Sequence, residues 1–409
     1  MDSYKIIIAV LTKIYAGKNL KDELNLLPLN NDTAKIKNHV YGIIRNYYAL
    51  NFILKQLLTK PVKEYKIELI LQMGLFELLY SKKPVYAVVN DIVNLTKTIS
   101  PNFVSLVNAL LRNCLRQKDI FIQKIEQDYS LKYNLPEWFI NKLKIQYGGT
   151  LAKEILVGFN FHPAFGIRIN PHKIDNLAYE KLLNENKLDF EKIGTKIVLA
   201  EACQVKQLPL FFEGAVSIQD IAAQYSLDLL QKYKIKPQIV LDACAAPGGK
   251  TCQILENYNC DLIAIDNSES RLNKIKENIK RLELNATILL ADAAQQDWWN
   301  KQAFDLIIAD VPCSATGTIK RNPDIKINRK ITDINKFVLL QRSIIKNLFS
   351  LLEVNGYLLY ITCSIFKDEN QENIKWFTEN IPGFTFVDDL QIFPNKYNDS
   401  LYYALIRKV

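Results

Sequence analysis

Two cysteines, Cys313 and Cys363, stand where thiol chemistry could take place. Each lies at the end of an apolar run of strand-like composition, at 304–310 and 356–363. Adjacent parallel strands lie about 4.8 Å apart and end at the same edge of a sheet, so these thiols would meet in one cleft if their strands are neighbours. One thiolate can add to C6 of a pyrimidine and make C5 able to attack an electrophilic methyl group, and a second group then removes the C5 proton. We interpret the pair as catalytic. Four other cysteines are interpreted as packing residues: Cys114, Cys203, Cys252 and Cys260.

A turn with two glycines, DACAAPGGKT at 242–251, follows an earlier apolar run. Its glycines would let backbone N–H groups at a helix N-terminus approach a ligand closely. Asp266 ends the next predicted strand, where its carboxylate can accept hydrogen bonds from both hydroxyls of a ribose. Asp292 ends the third predicted strand, in a place to meet an adenine edge. Together these residues predict a site for an adenosine-containing cofactor.

The same turn has an alternative interpretation as a phosphate-binding P-loop. Cys244 and the run Gly249-Lys250-Thr251 are one residue short of the P-loop spacing, and 306–310 could be the magnesium-binding strand. Against this, a P-loop needs glycine where Cys244 stands, and Pro247 removes one backbone N–H donor. The adenosine site is favoured, with nucleotide hydrolysis as the alternative.

The elements that position these residues are predicted from residue 238 onward, where apolar strands alternate with amphipathic helices. This order is typical of a parallel sheet with right-handed crossovers. The predicted strands are 239–244, 262–266, 287–290, 304–310 and 356–363, with helices near 250–257, 268–282 and 335–352. Two more strands, 384–388 and 400–407, are predicted to close the sheet antiparallel.

The upstream part of the chain has a different pattern. From residue 4 to about 127, apolar residues recur at helical spacing, and prolines at 28, 61, 84 and 101 divide the helices. One predicted apolar helix face consists of Phe103, Leu106, Val107, Leu110, Leu111 and Cys114. Basic residues predicted on polar faces are Lys37, His39, Arg45, Arg112 and Arg116. The middle segment mixes a helix at 136–147 with strands at 165–169, 196–199 and 215–218, so we predict an α+β arrangement there.

The composition excludes several classes of protein. Of 409 residues, 49% are hydrophobic and 23% charged, which is typical of globular chains and excludes dominant disorder. No apolar run reaches the roughly 18 residues of a membrane helix, and the start of the chain lacks a signal-peptide pattern, so we expect a cytoplasmic protein. The formal net charge of +9 favours a polyanionic partner. Seven cysteines without a CxxC pair, with only three histidines, support neither a disulfide framework nor a zinc site, and we predict no bound metal.

The sequence resembles the RNA cytosine-C5 methyltransferases of the Fmu/Sun family in three runs, LDACAAPGGKT, DVPCSATGTIKRNPDIK and YITCSIFKDEN. Near the start it resembles a NusB-type RNA-binding domain, in NDTAKIKNHVYGIIRNYYALNFIL and VNALLRNCLR. This resemblance covers nearly the whole chain. It implies a multi-domain protein with an all-α NusB-like N-terminal domain, a small α+β RNA-binding subdomain, and a C-terminal α/β Rossmann-like class I methyltransferase domain.

The resemblance also implies roles for individual residues. Cys363 of the TCS motif would be the nucleophile, Cys313 of the PCS motif would release the product, and Asp310 would lie near the transferred methyl group. The cofactor would be S-adenosyl-L-methionine, with Asp266 at its ribose and Asp292 on its adenine side. The implied cofactor loop is Cys244, Ala245, Ala246, Pro247, Gly248, Gly249 and Lys250. The sequence departs from the family at 399–402, which reads DSLY instead of DGFF, and at 291–293, which reads ADA instead of GDG.

From these patterns we predict three domains, at 1–128, 129–236 and 237–409. The expected substrate is a cytosine of 16S rRNA, and the expected state is a monomer without membrane attachment. Two alternatives remain: a C5-methyltransferase acting on tRNA or 23S rRNA, and a catalytically silent RNA-binding assembly factor. The presence of both Cys313 and Cys363 argues against the silent factor.

Overall fold

A computed structural model describes residues 2–28 and 32–409, so Asn31, the first residue of the NDTAKIK run, lies outside the described residues. The chain divides into two compact units. The first, the helical unit, comprises Met1–Ala152 and Arg321–Arg329. The second, the sheet unit, comprises Lys153–Lys320 and Lys330–Val409. A nine-residue segment from far along the chain therefore belongs to the helical unit.

The helical unit is all-α in its described residues, as the apolar spacing predicts. Its longer helices bury a shared core of Ile, Leu and Val side chains. The helices are Asp2–Tyr15, Leu20–Asn25, Thr33–Arg45, Tyr47–Leu57, Tyr65–Tyr80, Val85–Ile99, Val104–Arg116, Lys118–Gln127 and Tyr129–Lys132. The next helix, Glu137–Gly158, is kinked at Gly148, whose φ is 73°.

Two details of the predicted helix faces are wrong. Leu106 was placed on an apolar face, but its side chain is exposed, while Val107, Leu110 and Leu111 on the same helix are buried. His39 is not on a polar face, because its Nε2 lies 2.9 Å from Glu77 Oε1 and its ring packs edge-on against Phe76. The carboxylate of Glu77 is itself buried, so it needs such a partner. The histidine therefore satisfies a polar group in the interior of the unit.

The segment Arg321–Arg329 is held in the helical unit by buried polar contacts. Asp324 Oδ2 accepts a hydrogen bond from the backbone N–H of Leu20 at 3.2 Å, and the Lys326 carbonyl accepts one from Tyr48 Oη at 2.8 Å. Ile327 packs against the core of the unit. These contacts join residues about 300 positions apart in the chain.

The sheet unit begins with a small antiparallel sheet. Its strands are β1 (Phe165–Ile169), β2 (Phe190–Ile193), β3 (Lys196–Leu199) and β4 (Val216–Ile218), in the order β2-β3-β1-β4. The helix Asn176–Glu185 covers it through Tyr179 and Leu183, both fully buried. The predicted α+β character is confirmed, but β2 and this helix were not predicted. β2 has only four residues, two of them charged, so it lacks a clear apolar pattern.

A seven-stranded sheet carries the predicted chemistry. Its strands are β5 (Ile239–Ala243), β6 (Asp261–Asp266), β7 (Thr287–Leu290), β8 (Phe304–Asp310), β9 (Leu352–Thr362), β10 (Phe384–Ile392) and β11 (Leu401–Lys408). Their order is β10-β11-β9-β8-β5-β6-β7. The strands β5 to β9 are parallel, β11 pairs antiparallel with β9, and β10 pairs antiparallel with β11. The helices of this part are Ile221–Lys232, Gly249–Leu255, Glu269–Leu282, Ile331–Leu351 and Gln371–Asn380. The Rossmann-like fold and the antiparallel closure by the tail are thus confirmed.

None of the described helices combines the length and the apolar character needed to cross a membrane. Within residues 2–28 and 32–409, no group of three or more His, Cys, Asp or Glu side chains could hold a metal ion.

Candidate active site

The two candidate catalytic cysteines lie side by side. β8 and β9 are neighbouring parallel strands, with Asp310 opposite Ile361. Both strands therefore end at the same edge of the sheet. Cys313 and Cys363 follow these strand ends, and their sulfur atoms are 3.3 Å apart. Both are free thiols, and Cys313 is the more buried of the two. The sequence predicted this juxtaposition, which depends on the two strands being adjacent.

Gly317, in the loop that follows Cys313, is joined by backbone hydrogen bonds to Cys363 and to Ser400. Its N–H donates to the carbonyl of Cys363 at 2.8 Å, and its carbonyl accepts from the N–H of Ser400 at 3.0 Å. A Cβ at this position would lie 2.5 Å from the carbonyl oxygen of Ser400 and 2.8 Å from that of Cys363. Only glycine permits so close an approach. The distance between the loop after β8 and the loop after β9 therefore depends on glycine at position 317.

The two thiols differ in their electrostatic surroundings. The neighbouring Cys363 sulfur, burial and the nearby charge of Glu369 raise the pKa of the Cys313 thiol well above its ordinary value. Cys313 is therefore protonated at neutral pH, and its S–H can donate toward Cys363. The largest cause of the raised pKa is Cys363 itself, so a chemical change at that sulfur would alter the acidity of Cys313.

The predicted cofactor loop forms a tight turn at the end of β5. Two of its residues have positive φ, Cys244 at 60° and Gly248 at 94°. A side chain on Gly248 would press against Ile275, because a Cβ there would lie 3.2 Å from that residue. The helix that begins at Gly249 has no side-chain cap at its N-terminus.

Asp266 ends β6 beside this turn and is almost fully buried. Its carboxylate accepts from the N–H of Ala246 at 3.3 Å and of Ser268 at 3.0 Å, and Arg271 pairs with it at 2.9 Å. Since the Arg271 side chain is half exposed, it can move aside for a ligand hydroxyl. Asp292, after β7, is exposed and accepts from the N–H of Ala294 at 2.9 Å.

Lys250 and Asp310 form an ion pair between the cofactor loop and the strand that precedes Cys313. Their Nζ and Oδ2 atoms are 2.6 Å apart. Burial opposes the charge on Lys250, but the carboxylates of Asp310 and Asp242 outweigh it and raise the pKa of the lysine. Lys250 therefore remains a cation at the centre of the site. Cys363 also lies close enough to contribute to the raised pKa of Lys250.

Two residues of the site had no predicted role. Asp242, the last charged residue of β5, is fully buried and accepts from Thr251 Oγ1 at 2.5 Å, and burial raises the pKa of its carboxyl to about 7. Its second oxygen has no hydrogen-bond partner in the described part of the chain, which leaves an acceptor for a bound ligand. The second residue without a predicted role is Glu369.

Both acidic residues lie inside runs that carry the family resemblance, Asp242 in LDACAAPGGKT and Glu369 in YITCSIFKDEN. Their position in these runs is the sequence signal that could have identified them.

Comparisons with known proteins agree with this geometry. The profile of the 16S rRNA methyltransferase RsmB/F family matches residues 232–388, that of the NusB family matches 5–116, and that of the RsmF/B-like ferredoxin-like domain matches 135–206. The ribosomal RNA small subunit methyltransferase B of Pasteurella multocida is 37% identical, over 92% of this chain and 89% of that protein. The chain belongs to the RsmB/F family of 16S rRNA methyltransferases. A second relative of the same name, from Proteus mirabilis, is 33% identical over 99% of this chain and 97% of its own.

Two solved structures share the fold. The crystal structure of PH0851 is 22% identical with a TM-score of 0.79, over 99% of both chains. That of NSun6 from Pyrococcus horikoshii with SFG is 20% identical with a TM-score of 0.59, over 67% of this chain and 98% of that one.

Membership of the RsmB/F family makes the protein an RNA methyltransferase and confirms S-adenosylmethionine as its cofactor. The polar groups of the site are compatible with S-adenosylmethionine. Asp266 would hold the ribose hydroxyls, the loop from Cys244 to Lys250 would face the amino-acid portion, and the free oxygen of Asp242 offers a further acceptor. The alternative of nucleotide hydrolysis is not supported.

Proposed function

We propose that this protein transfers a methyl group to C5 of a cytosine in 16S rRNA, with Cys363 as nucleophile and Cys313 as the residue that releases the product. The observation that carries the proposal is the pair of sulfur atoms 3.3 Å apart at the ends of β8 and β9, beside the Lys250–Asp310 ion pair. The choice of 16S rRNA follows the names of the relatives.

The proposed reaction begins at Cys363, the more accessible thiol. Its thiolate adds to C6, so that an S–C6 bond forms and the C5–C6 π electrons become available at C5. S-adenosylmethionine, when bound, would supply the electrophilic methyl group that C5 attacks, and its sulfur would keep the electron pair of the broken S–CH3 bond. Asp310 and Lys250 border this place, and their ion pair keeps the loop end and the strand end in fixed relation.

Release then requires a base for the C5 proton. Once the Cys363 sulfur is bonded to C6, it no longer carries a negative charge beside Cys313. Bonding of this sulfur to C6 weakens both contributions of Cys363 to the raised pKa of Cys313, first the hydrogen bond and then the charge, so Cys313 becomes easier to deprotonate. After its own proton has passed to solvent, the Cys313 thiolate takes the C5 proton, the electron pair of that C–H bond re-forms the C5–C6 double bond, and the S–C6 bond breaks to free Cys363 as a thiolate. The order of events explains how two neighbouring thiols can have different roles.

Variants of the two cysteines test the proposal on unmodified 16S rRNA with S-adenosylmethionine. Cys363→Ala should form no 5-methylcytosine, while Cys313→Ala should accumulate a covalent protein–RNA complex that survives denaturing electrophoresis. The double variant should show no such complex. Cys260→Ala, at the opposite end of the sheet, is the matched control and should behave as the wild type.

Each other outcome has a definite meaning. If Cys363→Ala traps RNA and Cys313→Ala does not, the two roles are reversed. If neither variant traps RNA and both still form 5-methylcytosine, the covalent mechanism is wrong. Absence of 5-methylcytosine with the wild type on 16S rRNA, but its formation on tRNA or 23S rRNA, would change the substrate. Absence of 5-methylcytosine on every RNA would refute the proposed cytosine-C5 activity.

A further inference from the structure

Glu369 is a buried carboxylate close to the two cysteines. It lies at the end of the short 3-10 turn Lys367–Glu369, six residues after Cys363, and its exposed fraction is zero. Within residues 2–28 and 32–409 it forms no ion pair. Burial of a charge without a counter-ion is costly unless hydrogen bonds replace the lost water, so its partners decide what Glu369 does.

Four donors converge on this carboxylate. Oε1 accepts from the N–H of Ser314 at 2.8 Å and from Gln341 Nε2 at 3.0 Å. Oε2 accepts from Ser314 Oγ and from Ser364 Oγ, each at 2.5 Å. An ionised carboxylate has about four lone-pair sites and no donor, so the ionised form of Glu369 meets all four partners.

The partners are the residues next to the two thiols. Ser314 directly follows Cys313, and Ser364 directly follows Cys363. One carboxylate thus connects the loop after β8 to the loop after β9. Gln341, on the helix Ile331–Leu351, adds a third support, because its Nε2 also donates to the carbonyl of Pro312 at 3.0 Å.

We propose that Glu369 is a positioning residue that sets the distance between the Cys313 and Cys363 sulfurs by holding Ser314 and Ser364 together. This inference rests on the two-cysteine mechanism proposed above and adds a residue to it. Glu369 acts through the two serines and does not itself touch the reacting atoms.

The substitution Glu369→Gln keeps the shape but changes the hydrogen bonding. An amide NH₂ replaces one acceptor oxygen and faces the donors that the carboxylate satisfied, so the serine contacts loosen. Misplacement of reacting groups by about 1 Å can lower a rate by about 100-fold. In addition, the charge of Glu369 contributes to the raised pKa of Cys313. Its loss should lower that pKa and shift the pH profile of the release step toward lower pH.

The experiment compares wild type, Glu369→Gln and the control Asp305→Asn on unmodified 16S rRNA. Asp305 Oδ2 accepts from the N–H groups of Gln238 and Ile239 at the opposite end of β8, so its loss measures a purely structural effect. Three quantities are measured: single-turnover formation of 5-methylcytosine as a function of pH, the fraction of covalent protein–RNA complex, and the Kd of S-adenosylmethionine.

For Glu369→Gln we expect the single-turnover rate of 5-methylcytosine formation to fall about 10- to 100-fold, with an unchanged Kd of S-adenosylmethionine. The covalent fraction should rise, because release needs both sulfurs in place, and the pH profile of release should shift to lower pH. Asp305→Asn should change thermal stability alone. Equal turnover, covalent fraction and pH profile in Glu369→Gln and wild type would refute the positioning role.

A second variant covers the case in which Glu369→Gln fails to fold. Ser364→Ala removes one of the four contacts and leaves the charge with three donors, and it should raise the covalent fraction in the same direction. A folded Ser364→Ala enzyme with wild-type release would overturn the inference. If the wild type itself forms no Cys363-dependent complex, the two-cysteine mechanism fails, and this result is distinct from either outcome above.

Discussion

Lys326 provides a quantitative test of how the segment Arg321–Arg329 is held in the helical unit. Its side chain is buried, and its ammonium group donates one long hydrogen bond, to the carbonyl of Arg45 at 3.4 Å. Burial, with a smaller contribution from the charge of Arg45, lowers the pKa of Lys326 from 10.5 to about 7. The ammonium therefore destabilises the folded state while it is charged.

The sign of the pH dependence follows from proton binding. Below about pH 7 the lysine is charged in both states, and the full cost of burying the charge is present. Between about pH 7 and 10.5 the unfolded chain binds the proton and the folded chain does not, so stability rises with pH in this window. The difference in pKa corresponds to a cost of about 3–5 kcal/mol at neutral pH and below.

Lys326→Met removes the charge and keeps a side chain of similar length. We expect the variant to be about 3–5 kcal/mol more stable than the wild type at pH 7, with a gain that shrinks toward pH 10. Urea denaturation, followed by helical circular dichroism over this pH range, measures both quantities. Lys336→Met, at a lysine whose side chain is 78% exposed, is the control and should change stability by less than about 0.5 kcal/mol. A Lys326→Met variant that is less stable at neutral pH, or whose pH slope equals that of the wild type, would refute the reasoning.

Further predictions concern the cofactor and the loops. Asp266→Ala should weaken S-adenosylmethionine binding by about 10- to 100-fold in calorimetry, because charge-assisted hydrogen bonds are worth about 1.5–3 kcal/mol each, whereas Arg271→Ala should change it little. An unchanged affinity in Asp266→Ala would remove that residue from the site. Gly317→Ala should cost about 1–3 kcal/mol of stability and slow methyl transfer, since the new Cβ would lie 2.5 Å from the carbonyl oxygen of Ser400. Gly149→Ala, with no atom within 4 Å of its Cβ, is the control, and equal effects in both variants would contradict the steric argument.

The sequence alone predicted the strands of the seven-stranded sheet and the residues that stand at their ends. The strand 304–310 is buried on both faces and reads as a continuous apolar run, so it was predicted with the bounds that the structure has. The bounds of 287–290 were also predicted as the structure has them, although this strand is not buried. The position of a residue at a strand end follows from the same runs, which is why Cys313, Cys363 and Asp266 could be assigned to one edge of the sheet before their contacts were known. Their catalytic and binding roles stay predictions.

Tertiary structure decided what depends on contacts between distant residues. Leu20 and Asp324 are 304 positions apart, and nothing in the local pattern of either indicates that the segment Arg321–Arg329 joins the helical unit. His39 looked like a residue of a polar face because Glu77, its partner, is 38 positions away. Glu369 stood inside a recognised run, but its function depends on four donors from three separate parts of the chain. Periodicity reports which side of an element is apolar, and only the folded chain shows which polar groups meet in the interior.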